Sequence, residues 1–246
     1  MRVYFTGAYR KPRELNWVIG MCLLFCTLGC GFTGYCLVFE QLSYWGAKVG
    51  ANIGEAVPVV GPVAKNFMLA GEEYNDKTLP RFFILHAAVL PVTMILLLVV
   101  HITFIRLLGV TELKSPDDDP DNPDHFNFFP DHLYTELIIG LVLMVMLSAL
   151  ATIFPAEMGQ RADPLITPEV IKPEWFFYVT FRWLKLFSIT TAVLSMGLIV
   201  GVFFVWPWID ALIRRITKSE NVSIVIGVAG TLAIITLTIW EAVAKH

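Results

Sequence analysis

The chain has 246 residues, 56% of them hydrophobic, a net charge of −3 and a mean hydropathy of +0.66. Only 16% are charged, against roughly 25% in soluble globular domains. That excludes an ordinary soluble domain, and no nucleic-acid partner is expected.

The apolar residues fall into blocks without Asp, Glu, Lys or Arg: Leu15–Phe39, Phe82–Ile105, Leu137–Phe154, Leu186–Ile209 and Val222–Trp240. A ~30 Å hydrocarbon core takes ~20 residues of helix, and lipid offers no partner to open backbone groups. The prediction is an all-α, multi-pass integral membrane protein with about five transmembrane helices and interfacial helices in the connections. The basic stretch Met1–Arg13 leads directly into the first span, so no cleavable signal peptide is expected.

Arg2, Arg10, Lys11 and Arg13 precede span one, and Arg214, Arg215 and Lys218 separate spans four and five. The positive-inside rule puts both on the negative side of the membrane, N-terminus included. Residues 107–131 hold seven acids and fit that side poorly, although acids weigh little in the rule. After span one, residues 40–80 read as interfacial helices, with Tyr44 and Trp45 suited to that depth. The acidic, proline-rich Ser115–Pro130 predicts a boundary, dividing the chain into a two-span module (1–110), a loop (111–132) and a three-span module (133–246). Residues 155–185 form a second interfacial connection. Cys22, Cys26 and Cys30 share a helix face, with Cys36 nearby. They read as small hydrophobes at a packed interface, because no haem-attachment or zinc spacing is present.

Span two contains His86 and His101, and a histidine within a membrane helix is a functional candidate by default. Their fifteen-residue spacing puts them ~22 Å apart along a helix and ~60° apart around it. Both rings can therefore address one neighbouring helix near opposite membrane faces. Two stacked haems, a proton relay, or two satisfied polar histidines all suit this spacing. Gly20 and Gly34 in span one lie fourteen residues apart, ~21 Å. With antiparallel spans, Gly34 falls level with His86 and Gly20 with His101. A missing side chain lets a flat macrocycle approach the backbone, though small residues also serve ordinary helix packing. In Lys172-Pro173-Glu174-Trp175-Phe176-Phe177, Glu174 is expected at the interface among aromatics, desolvated and suited to accept a proton. An exposed interfacial carboxylate is the plain alternative.

Pro173-Glu174-Trp175-Phe176 resembles the Pro-Glu-Trp-Tyr motif of cytochrome b in the bc1 and b6f complexes. Arg81-Phe82-Phe83 with His86, Pro91 and His101 resembles that family's fourth helix, and Tyr9 through Gly34-Tyr35 its third. Gln41–Ala47 and Pro58–Gly61 resemble the connection over its quinol site. The motifs run in family order over nearly the whole chain.

The resemblance implies His86 and His101 as ligands to the iron of two haem b groups, with Gly20 and Gly34 facing the macrocycles and Arg81 as a propionate partner. It implies a quinol-oxidation site of Tyr35, Trp45, Gly46, Pro173, Glu174, Trp175 and Phe176, and places Arg106 and Glu136 near a quinone-reduction site. The histidine spacing is closest to the b6-type chain. The sequence departs from the family at Leu37-Val38-Phe39, where Leu-Pro-Trp is usual, and at Phe176, which lacks the tyrosine hydroxyl.

Two bis-histidine haems need four imidazoles. His125, His132 and His246 lie in a loop, at a helix start and at the terminus, so the spans offer two. The expectation is a split cytochrome b. A separate subunit would bring the two family helices preceding the third and two more histidines. Further expected partners are a Rieske iron–sulfur protein and a c-type cytochrome, in a dimeric quinol:cytochrome c (or similar acceptor) oxidoreductase embedded in lipid. A haem-poor structural quinone-binding subunit is the alternative. A transporter leaves Pro173–Phe176 and the glycine register unexplained.

Overall fold

The computed structural model describes residues 2–111 and 127–244. His125, His246 and most of the acidic loop lie outside them. The chain falls into two compact units: one takes the residues up to Thr111 with those from Gln160 onward, the other the stretch between.

The larger unit opens with α1 (Arg2–Phe5) and the first span, α2 (Glu14–Leu37). Two surface helices follow, α3 (Gln41–Glu55) and α4 (Gly61–Leu69). The second span is α5 (Thr78–Ile84), a π-turn (Leu85–Val89) and α6 (Leu90–Leu108) in one continuous rod. Proline has no amide hydrogen and collides with the carbonyl four residues back. The π-turn before Pro91 absorbs that conflict, and Leu90 N–H bonds Leu85 O across it.

The smaller unit carries α7 (Leu133–Ile153) after a π-turn at Phe128–His132. The larger unit resumes with an extended segment, a 3-10 turn (Trp175–Phe177), α8 (Tyr178–Leu186), α9 (Ile189–Phe204), α10 (Trp206–Thr217) and α11 (Asn221–Val243). Among the described residues, four helices or rods are long and apolar enough to cross a membrane, and α9 with α10 makes a fifth, bent candidate.

Two expected boundaries shift. Span one stops at Leu37, with Phe39 at φ +55° starting the exit. Span four does not continue to Ile209. It turns by 72° after Phe204, with Pro207 in the first turn of α10, where a proline starts a helix well. Beyond the bend, α10 carries Asp210, Arg214 and Arg215.

α2 runs antiparallel to the α5–α6 rod: Gly34 meets His86, Gly29 meets Leu90 and Gly20 meets His101. At one end, Cys36, Ala47 and Phe82 form a buried core with Phe32, Tyr35, Leu37 and Tyr74. Burial pushes the Tyr74 phenol up to about 12. Segment 160–166 is tied to the start of α3: Gln41 N–H donates to Gln160 O (2.8 Å), Asp163 N–H to Gln41 Oε1 (2.6 Å) and Trp45 Nε1 to Ile166 O (3.1 Å). At the other end, Asp210 is fully buried against Arg10 (3.1 Å), Arg214 (3.0 Å) and the Ser223 hydroxyl. Arg13 caps α6 there, donating to Leu108, Gly109 and Val110 carbonyls.

Candidate functional site

The two histidines occupy the predicted register. A Cβ on Gly34 would lie 2.8 Å from His86 Cε1, and one on Gly20 would lie 3.5 Å from His101 Cε1. Only glycine allows the first approach. His86 stands inside the π-turn, and its Nδ1 is 3.1 Å from Thr33 Oγ1. That hydroxyl already donates to Gly29 O (2.8 Å), so it accepts from His86 Nδ1–H. The lone pair is thereby left on Nε2, the arrangement of a metal-ligating imidazole held by an outer partner.

His101 differs. It lines a cavity of about 380 Å³ with Gly20, Asn16, Arg13 and Thr111. His101 Nδ1, Asn16 Oδ1 and Thr111 Oγ1 are all buried there without a hydrogen-bond partner among the described residues. Buried polar atoms are normally satisfied, so this end is built to meet a polar edge from elsewhere. Among the described residues, no three His, Cys, Asp or Glu side chains stand where they could hold a metal ion together. One imidazole beside one bare stretch of backbone fits a group that brings its own equatorial ligands. Each of the two places thus fits one side of a haem.

A second cavity, about 180 Å³, opens at the end of α2. It brings together Tyr35 of α2, Gly46, Val49 and Gly50 of α3, and Lys172, Pro173 and Glu174 before α8. Glycines in α3 make room for the aromatics of α2. A Cβ on Gly46 would stand 2.8 Å from Tyr35 Cε1, and one on Gly50 2.6 Å from Phe32 Cζ. Phe177, Thr180, Phe181 and Leu184 close the far wall.

Of the seven residues expected here, Tyr35, Gly46, Pro173 and Glu174 line the cavity. Trp45, Trp175 and Phe176 do not: Trp45 bonds Ile166, Trp175 is 69% exposed, and Phe176 packs over Gly31. Glu174 is exposed in this chain, not enclosed by aromatics. Pro173 precedes it, and its own backbone is extended (φ −61°, ψ 152°). It therefore stands before the 3-10 turn, outside the apolar wall. Arg81 Nη1 donates to the Asn66 and Phe67 carbonyls in the last turn of α4 (3.1 and 2.7 Å). Arg106 is exposed and lies outside the His101 cavity, and Glu136 is exposed in the first turn of α7. The motifs did not reveal Thr33, Phe32 or Gly50. The four-residue repeat Gly46, Gly50, Gly54 was the available signal, because such residues share one helix face.

Residues 1–161 match the family "Cytochrome b(N-terminal)/b6/petB", and residues 161–245 match "Cytochrome b(C-terminal)/b6/petD". A "Cytochrome bc complex cytochrome b subunit" of Chlorobaculum thiosulfatiphilum is 34% identical over 241 residues, covering 96% of this chain and 55% of its own. A "Cytochrome b6" of Heliobacterium modesticaldum (strain ATCC 51547 / Ice1) is 47% identical over 112 residues, 46% of this chain and 53% of its own. The chain spans about half the length of the curated relatives it matches. A solved chain of a "Hyperthermophilic respiratory Complex III" shares the fold, with a TM-score of 0.76 at 24% identity over 100% of this chain and 66% of that one. Two family models that meet at residue 161 and together cover almost every residue, over a helix pair with the histidine–glycine register, establish that this chain belongs to the cytochrome b family.

Proposed function

We propose that this chain is the cytochrome b subunit of a quinol-oxidising bc-type complex. It would carry electrons across the membrane between a quinol-oxidation and a quinone-reduction site, with proton translocation. The observation that carries this reading is the aromatic cavity of Tyr35, Gly46, Pro173 and Glu174, at the end of the same helix whose Gly34 meets His86.

Tyr35, Phe32, Phe177 and Phe181 enclose a flat ring and keep water from it. Glu174 is exposed at the rim, placed to take a proton from a quinol hydroxyl and pass it outward. His86 and His101 would each hold a haem through a ring nitrogen, and Thr33 orients the first. Haem b, when bound, supplies reversible one-electron transfer along the α2–α6 pair. The two remaining imidazoles come from helices outside these 246 residues. Those histidines are expected roughly fourteen residues apart, to match the ~21 Å spacing. A Rieske iron–sulfur protein and a c-type cytochrome are the proposed acceptors, in a dimeric complex of an energy-transducing membrane. The basic N-terminus lies on its negative side, and the quinone-reduction site lies at the His101 end of α6.

The test is a dithionite-minus-ascorbate spectrum of the native complex with a haem-to-polypeptide count. Two b haems per copy are expected, lost on changing His86 or His101. Glu174→Gln should lower quinol oxidation by ~10²-fold or more, the range of a lost proton-transfer group, with the haems retained. An intact complex without b haem would leave the fold and remove the electron-transfer role.

A further inference from the structure

The cavity wall that follows Glu174 is held from outside by the end of the last helix. Glu241, near the end of α11, is fully buried. Its carboxylate meets Lys185 Nζ at 3.2 Å and Arg182 at 3.6 Å. Its backbone carbonyl accepts from Lys172 Nζ at 2.6 Å, and the Arg182 guanidinium lies 3.7 Å over the Trp240 ring. Lys172 precedes Pro173-Glu174, while Arg182 and Lys185 follow it on α8. The end of α11 therefore ties down both flanks of the segment that carries Glu174, the α8 flank through the Glu241 carboxylate and the Lys172 flank through the Glu241 and Ala242 carbonyls.

The helix geometry makes these ties relevant to the cavity. Thr180, Phe181 and Leu184 line it, while Arg182 and Lys185 on the same helix turn to α11. The face that forms the wall and the face that forms the ion pairs are two sides of one nine-residue helix. A helix that short does not hold itself. A buried carboxylate is retained only with its partners in place, and losing one leaves an uncompensated charge. We propose that Glu241 is a positioning residue for the quinol cavity, fixing the distance between Glu174 and the α8 wall from a helix that does not itself line the cavity.

This inference rests on the quinol-oxidation reading, and the experiment separates the two. Quinol oxidation is measured in the native complex carrying Glu241→Gln, with Glu174→Gln as the reference. Glu241→Gln should raise the quinol KM roughly tenfold with a smaller change in kcat, since misplacement of about 1 Å costs up to ~10²-fold. The b-haem spectrum should be unaltered, and Glu241→Asp, which keeps the charge, should recover most of the loss. An unchanged KM in an assembled complex overturns the proposal. Should Glu241→Gln fail to assemble, Lys185→Met removes one partner of the carboxylate without touching the cavity lining, and an unchanged KM there overturns it equally. If Glu174→Gln itself leaves quinol oxidation intact, the cavity reading fails and this inference falls with it. If Glu174→Gln is defective and Glu241→Gln is not, the inference alone fails.

Discussion

At the scale of single residues, the two glycines of α2 differ in what they forbid. A methyl group at Gly34 would press to 2.8 Å of His86, whereas one at Gly20 would reach ordinary contact with His101 at 3.5 Å. Gly34→Ala should therefore displace the His86 ring, costing ~1–3 kcal/mol as overpacking does, and lower b-haem content. Gly20→Ala should leave His101 in place. A haem count per polypeptide for the two variants checks this; equal retention would mean the Gly34 contact yields without consequence. The histidine–glycine level was legible from spacing alone, because helical rise fixes distance along the axis. The fate of Trp45, Trp175 and Phe176 was not. Neighbours in a helix point ~100° apart, so adjacency to Gly46 or Glu174 says nothing of a shared cavity.

At the scale of elements, the long spans could be read from the absence of charge, and the antiparallel α2–α6 pair followed. The end of span four could not be read that way. Trp206, Pro207 and Trp208 continue the apolar run, while the chain has already turned and α10 lies across the end of the bundle. What anchors α10 is Asp210. Burial alone would raise its carboxyl, but the Ser223 hydroxyl, Arg10 and Arg214 together outweigh that and hold it below the usual carboxylate range. A group depressed in the fold stabilises fully above its unfolded value of about 3.9 and loses that contribution as pH falls through the lower folded value. Asp210→Asn should cost ~3 kcal/mol, the low end for a broken buried pair, because both arginines are partly exposed. It should also flatten the acid limb of a melting-temperature profile below about pH 4. A variant that keeps the wild-type acid limb would assign it to other carboxylates.

At the scale of the whole molecule, the larger unit has two chemically different ends. One gathers the start of α2, the end of α6 and the turn between α10 and α11, with Arg10, Arg13 and Asp210. The other gathers the end of α2, α3, α8 and the end of α11, with the aromatic cavity. If the basic end faces the negative side, Lys11 and Lys218 are labelled by an impermeant amine reagent from one side of sealed vesicles, and Lys77 from the other. All three are exposed. Labelling of all three from the same side would contradict the five-span topology. The ends were legible as a charge pattern, but the cavity needed segments 120 or more residues apart in the chain. The tie that closes this gap sets the Gln41 side-chain amide and the Trp45 indole against main-chain groups of Asp163 and Ile166, so on the side of residues 160–166 the sequence carries no partner to recognise.

The π-turn settles a mismatch in counting. The two glycines of α2 are fourteen residues apart and the two histidines opposite them fifteen, yet each glycine faces its histidine. A π-turn winds one additional residue into a helix without lengthening it by a full step, so fifteen positions on the histidine rod advance about as far as fourteen on its neighbour. Spacing in this fold is thus conserved in space, not in sequence number. A relative with its histidines fourteen apart would be expected to run through this point as plain α-helix. Excising one residue from Leu85–Val89 here would straighten the rod and keep both rings level with their glycines, whereas the same excision farther along α6 would leave the π-turn in place and throw His101 out of phase by ~100°.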